Sequence, residues 1–231
     1  IRLSSLGDVI LSTFALRLIR KKFPDAHIDF LVAKEYAHVL RFNPNVQNVY
    51  EYDKNLAFST HLFNTLSLFN QSHYDIILDL QDNIRSRVFS LGKSERVFRF
   101  NKRRFYKLSL VYLKKRKTNF VHIPVLYKNT LPDLANFDDG LGLELWTPKD
   151  SNGYVPFNKK QNLKNIQKVA IAPGAKHFTK RLPQKIATQV VEQILYKYDA
   201  KIFLIGSTED FSYCKELVVD STRVSNLCGE F

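Results

Sequence analysis

Two short stretches of this chain hold residue types that group-transfer chemistry needs. The first, Arg2-Leu3-Ser4-Ser5-Leu6-Gly7-Asp8, places a carboxylate between a short apolar strand and an amphipathic helix. Ser4, Ser5 and Gly7 then leave free backbone N–H groups at the positive end of that helix. Gly7 either admits a close approach or supplies a positive φ. Asp8 stands at the carboxyl edge of a sheet, where open α/β folds place their ligands, or simply acts as the N-cap of the helix. The second stretch is Pro173-Gly174-Ala175-Lys176-His177-Phe178-Thr179-Lys180-Arg181-Leu182-Pro183. A Pro-Gly turn, a hydroxyl and several cations ahead of a helix suit a diphosphate. The stretch is neither a P-loop nor a Gly-x-Gly-x-x-Gly fingerprint, and a solvated βα loop has the same composition.

The elements that must position these residues alternate. Residues 9–22 bring Ile10, Phe14 and Leu18 to one helical face, and Arg17, Arg20, Lys21 and Lys22 suit the negative end of its dipole. Strands are predicted at 27–32, 49–52, 76–80 and 96–100, and helices at 36–40, 58–69 and 122–131. Asp79-Leu80-Gln81-Asp82-Asn83 lies at the carboxyl end of the third of these strands. Asp79 or Gln81 suits a cleft wall there, while Asp82 suits a cap for the helix carrying Arg85 and Arg87. The pattern restarts with a strand at 168–172, a helix at 183–197, a strand at 201–205, a helix at 211–219 and a strand over 226–228. Pro, Gly and polar residues over 146–156 read as a linker, giving domains 1–155 and 156–231. Alternation of this kind predicts an α/β fold with parallel sheets wrapped by helices.

Composition excludes several classes. With 45% hydrophobic and 25% charged residues, the chain is globular and not disordered. No apolar run is long enough to span a bilayer as a helix. Two cysteines give neither a disulfide framework nor metal-ligand spacing, and the six histidines read as structural or solvated, with His177 in the second loop a possible phosphate contact. The lack of methionine, and the way residues 226–231 break off within a strand pattern, are expected of a piece of a longer protein. The net charge of +13 favours anionic partners. Residues 102–117 concentrate that charge: Arg103, Arg104 and other cations alternate with aromatic and aliphatic residues, without an acidic one. Such a segment fits an anionic membrane surface or phosphorylated lipid, a nucleic acid, or an ordinary helix with solvated lysines.

Taken together, the Arg2–Asp8 stretch, the strand over 75–80 with Gln81, the 173–183 loop and Leu204-Ile205-Gly206-Ser207-x-Glu209-Asp210 resemble family-nine glycosyltransferases, the ADP-heptose:lipopolysaccharide heptosyltransferases. The resemblance runs from residue 1 to 231 in consistent order. It implies a GT-B fold, two Rossmann-like domains with parallel sheets facing across a cleft, the second of them incomplete here. The acceptor would be bound by the first domain and the nucleotide-sugar by the second. By the same resemblance Asp8 is the general base of an inverting transfer, and Lys180 neutralises the leaving diphosphate. Gly174, Thr179 and Glu209 would contact the donor, and Ser4, Ser5, Gly7, Gln81, Arg103 and Arg104 the acceptor. The family's acidic-Gly-x-x-His segment, a further donor contact, is not among these residues. No metal and no cofactor beyond an ADP-sugar co-substrate is expected, since no Asp-x-Asp clamp occurs. The implied setting is the cytoplasmic face of an inner membrane, with a phosphorylated glycolipid acceptor. Two other readings stand beside this one: transfer of another activated sugar, and a non-catalytic nucleotide- or nucleic-acid-binding protein.

Overall fold

The computed structural model describes residues 1–55, 73–102, 121–146, 166–175 and 177–230. These fall into two compact units, Ile1–Asn152 and Gly153–Phe231. The helix expected at 58–69, the basic stretch over 103–117 with Arg103 and Arg104, and residues 147–156 of the linker lie outside the described residues.

In the first unit β1 (Asp29–Ala33) pairs in parallel with β2 (Asn48–Tyr52), and β3 (Ile77–Asp79) with β4 (Val97–Arg99). Residues 1–3 run between the two pairs. Arg2 N donates to Leu31 O (3.0 Å) and Ala33 N to Leu3 O (3.1 Å), while Leu80 N donates to Ile1 O (3.0 Å) on the other side. The backbone order is therefore β2, β1, residues 1–3, β3, β4, a parallel layer interrupted by no antiparallel strand among the described residues. The first segment thus sits in the middle of the layer, and the chain leaves it at the carboxyl ends of the strands.

From that edge the chain enters α1 (Leu6–Lys22). This helix is buried over more than the one face that its spacing predicts. Val9 and Leu16 pack with Phe30 and Val32 of β1, Phe14 and Leu18 with Leu131 and Leu134, and Ala15 with Leu80, Phe100 and Tyr127. Its buried Ser12 and Thr13 hydroxyls donate to Val9 O (2.6 Å) and Ile10 O (2.7 Å), so neither is left unsatisfied. Beside a short 3-10 turn at Pro132–Leu134, three further elements belong to the described part of this unit. They are a 3-10 segment over Lys34–Val39, α2 (Ile84–Ser90) and α3 (Ile123–Lys128).

The second unit carries three parallel strands in the order β5 (Gln167–Ile171), β6 (Ala200–Leu204), β7 (Val224–Asn226). Ala187 and Val191 of α4 (Gln184–Lys197) pack on Ile202 and Leu204, together with Cys214 of α5 (Phe211–Lys215), Leu217, Val224 and Cys228. The helix expected over 211–219 ends at Lys215, because the Leu217, Val218 and Val219 amides turn back on nearby carbonyls and Asp220 opens a tight turn.

Candidate active site

Asp8 lies in the first turn of α1, but not as the N-cap. Ser5 is the N-cap and Asp8 the third helical residue, so the carboxylate reaches back in the manner of a capping box. Ser5 N and Ser5 Oγ both donate to Asp8 Oδ2, at 3.3 and 3.1 Å. Gly7 is helical, without the positive φ that the sequence allowed, and a Cβ built on it meets nothing within 4 Å. Its exposure leaves the approach to Asp8 open, and that is the role left for a glycine here.

Two residues that sequence reasoning did not single out complete the surroundings of Asp8. The Arg2 guanidinium reaches Asp8 Oδ2 at 2.5 Å and donates to Leu80 O at 2.6 Å. Tyr127 of α3 donates its hydroxyl to Asp8 Oδ1 at 3.1 Å, with its ring under the Arg2 guanidinium at 5.4 Å. Arg2 and Tyr127 are both buried, whereas the Asp8 side chain keeps 33% of its surface exposed. Partial burial disfavours the Asp8 anion, but the Arg2 charge and the hydrogen bonds from Ser5 and Arg2 outweigh it and hold the carboxyl below its ordinary range. Asp8 is therefore ionised at neutral pH. Burial, with the Asp8 charge adding to it and Arg2 opposing, pushes the Tyr127 phenol well above its usual value, so it remains a donor.

Gln81 fastens this turn to the sheet. Its Oε1 accepts from Leu3 N (3.1 Å) and Ser4 N (3.2 Å). Of the expected acceptor contacts, Ser4, Ser5, Gly7 and Gln81 are thus brought together around Asp8. Asp79, expected as a possible cleft wall, is instead fully buried. It accepts from Gln81 N (3.0 Å), Asp82 N (2.8 Å) and Ser86 Oγ (2.8 Å), and so shapes the loop from within. Asp82 does not cap α2. Asn83 does, accepting from Ser86 N at 2.9 Å, because Asp82 adopts a positive φ of 42° and its carboxylate pairs with Arg87 at 2.8 Å.

In the second unit the carboxyl ends of β5, β6 and β7 open onto glycine-bearing loops. The 173–183 loop closes on itself through Leu182 N to Pro173 O (3.1 Å) and Arg181 Nε to Ala175 O (2.8 Å). Its Phe178–Lys180 segment is a 3-10 turn, with His177, Thr179 and Lys180 exposed. Gly174 runs hard against Asp210, since a Cβ there would fall 2.3 Å from Asp210 Oδ1. Asp210 is held in turn by Ser207 N (3.0 Å) and Ser207 Oγ (2.8 Å). The acidic residue that touches the loop is therefore Asp210, while Glu209 is exposed beside it. The Ser207-x-x-Asp210 spacing was the available signal.

One cavity of the first unit lies apart from this site. It measures about 700 Å³ and is lined largely by the amino ends of the strands, Asp29, Asn48, Tyr74 and Ile76 among them, with Asp8 absent from its walls. Open parallel sheets bind ligands at the other, carboxyl end. Among the described residues no group of three His, Cys, Asp or Glu side chains is placed to hold a metal ion. Nor is any described helix long and apolar enough to cross a membrane.

No family model matches the chain. It is 25% identical over 236 residues to lipopolysaccharide heptosyltransferase 1 of Campylobacter coli, an alignment covering 94% of this chain and 67% of that protein. The family 9 glycosyl transferase of Veillonella parvula DSM 2008 superposes with a TM-score of 0.76 at 20% identity, covering 99% of this chain and 68% of that one. The E. coli ADP-heptose lipopolysaccharide heptosyltransferase II gives 0.72 at 18% identity, covering 100% and 72%. The described residues share their parallel α/β fold with these two solved proteins.

Proposed function

We propose, taking as premise that this chain is a glycosyltransferase similar to the family-nine heptosyltransferases, that it transfers heptose from ADP-heptose to the inner core of lipopolysaccharide. The observation that carries the reading is the state of Asp8: an ionised carboxylate in the first turn of α1, partly exposed, anchored through one oxygen by Ser5 and Arg2. In the transfer, a hydroxyl oxygen of the acceptor attacks the anomeric carbon of the donor. The bond from that carbon to the β-phosphate oxygen breaks, ADP departs and the configuration inverts. The hydroxyl proton passes to Asp8, acting as general base. No enzyme-bound sugar intermediate is required.

The 173–183 loop serves the leaving group in this reading. Lys180 offsets the charge that develops on the diphosphate, Thr179 donates a hydrogen bond, and Gly174 keeps the backbone low. Glu209 then takes a ribose hydroxyl. A lysine and backbone N–H groups supply the charge compensation that a metal gives elsewhere, so the reaction is metal-independent. Gln81, Ser4 and Ser5 present the acceptor to Asp8, and Arg103 and Arg104 meet its phosphates. The net charge of +13 supports an anionic glycolipid acceptor at the cytoplasmic face of the membrane.

The test is Asp8→Asn, which keeps the shape but cannot accept the proton. With ADP-heptose and a lipid A–Kdo-type acceptor, ADP release is expected to fall roughly 10²–10⁴-fold, while calorimetric ADP affinity stays within twofold, by about that factor. Undiminished transfer by the variant would end the assignment. A screen of other nucleotide-sugars, read by product mass, checks the donor.

A further inference from the structure

The two oxygens of the Asp8 carboxylate are not equivalent. Oδ2 receives Arg2, Ser5 N and Ser5 Oγ, which fills its acceptor capacity. Among the described residues Oδ1 receives only Tyr127 Oη, which leaves it a further acceptor site on a side chain that is one-third exposed. We propose that Arg2 and Tyr127 are positioning residues that turn Oδ1, and not Oδ2, toward the acceptor hydroxyl. The proposal rests on the reading of Asp8 as the general base.

The geometry is over-determined in a way that packing alone does not need. Tyr127 stands edge-on to Phe100, with centroids 4.9 Å apart and planes at 78°, which fixes the ring. Its hydroxyl then has one direction in which to donate. Arg2 touches Asp8, the Leu80 carbonyl and the Tyr127 ring at once, so one guanidinium ties the first segment, β3's end and α3 to the carboxylate. Arg2 Nε, however, is buried with no hydrogen-bond partner among the described residues. An unmet buried donor disfavours folding, so an arginine serves this position poorly as a packing residue and well as a fixed charge. No other titratable or charged side chain among the described residues contacts the Asp8 carboxylate.

Two readouts separate positioning from mere structure: the titration of the Asp8 carboxyl, followed by carbon-13 NMR in the full chain, and the acid limb of kcat/KM for transfer from ADP-heptose. Removing the guanidinium charge in Arg2→Met raises the Asp8 midpoint, expected by about one pH unit given its partial exposure, and the acid limb moves up with it. Tyr127→Phe removes the donor to Oδ1, moving both upward by roughly half as much, and lowers kcat at the plateau with the donor KM unchanged. Arg2→Lys keeps a charge and restores most of the wild-type midpoint. If Arg2→Met does not fold, Tyr127→Phe and Arg2→Lys carry the test. Unmoved midpoints and acid limbs overturn the proposal. Should Asp8→Asn abolish transfer while those limbs stay put, only the positioning roles fail. Should Asp8→Asn transfer normally, the underlying reading fails with them.

Discussion

Replacing Arg17 by methionine should cost the first unit about 3 kcal/mol, and the reason lies in what its guanidinium holds. Arg17 Nε and Nη2 grip Asp139 at 2.7 and 3.0 Å, Nη1 reaches Glu144 at 3.2 Å, and Nη2 also donates to Gly142 O at 2.6 Å. The side chains of Arg17, Asp139 and Glu144 are 8%, 7% and 11% exposed, so this is a buried cluster. Breaking one side of such a pair typically costs about 3–5 kcal/mol, because the other charge is left uncompensated. The lower end applies here. Lys21 still pairs with Asp139 at 2.8 Å, and Asn43 and Asn45 still donate to Glu144 at 3.3 and 2.8 Å. Urea unfolding monitored at Trp146, the sole tryptophan and part of this unit, measures the loss. The pH dependence gives a second check. Arg17's hydrogen bonds, ahead of the opposing burial and aided by Lys21, hold the Asp139 carboxyl far below its ordinary range. A depressed folded value adds stability that is fully present above the unfolded value near 3.9 and is lost as pH falls through the folded one. The wild type should therefore lose stability steadily below about pH 4, and Arg17→Met should show a shallower slope. A loss under about 1 kcal/mol would refute the reasoning. So would a charge-free variant (Arg17→Met with Asp139→Asn and Glu144→Gln) no more stable than the single substitution.

Two further outcomes come from local geometry. Gly174→Ala sets a methyl against Asp210 Oδ1, forcing that carboxylate off the Ser207 amide and hydroxyl. Calorimetric ADP affinity should fall about tenfold, or roughly 1.4 kcal/mol, with an unchanged circular dichroism spectrum; unchanged affinity would remove this loop from the donor site. Asn83→Ala deletes the acceptor for Ser86 N at the start of α2 and should lower the urea stability of the first unit by about 1 kcal/mol, most of it recovered in Asn83→Ser.

The order of elements was legible because parallel strands buried by helices leave near-continuous apolar runs, which period and turn residues delimit. Residues 76–80 and 201–205 stand in the structure as β3 and β6 to within a residue or two. Polar positions were less legible, since their partners are far apart in sequence. Arg17 reads as one of four cations at a helix end, yet its carboxylates lie 122 and 127 residues away. Asp82 and Asn83 are both good capping residues. The choice between them turned on the Asn83-x-x-Ser86 spacing, in which each side chain meets the other's backbone N–H.

Asp8 shows why a capping role and a chemical role were hard to separate in the sequence. The Ser5-x-x-Asp8 spacing announces a capping box, and one oxygen of the carboxylate performs that task. A capping carboxylate needs nothing more. Here the second oxygen is met by a phenol from a helix 119 residues away, and a buried arginine supplies a charge that capping does not call for. Neither feature belongs to the local pattern, so no reading of residues 1–8 by themselves reaches it. In the proposed reading the two roles are not competitors, because they fall on different oxygens: Oδ2, held by Ser5 and Arg2, caps the helix, and Oδ1, met by Tyr127, is the one assigned to take the proton.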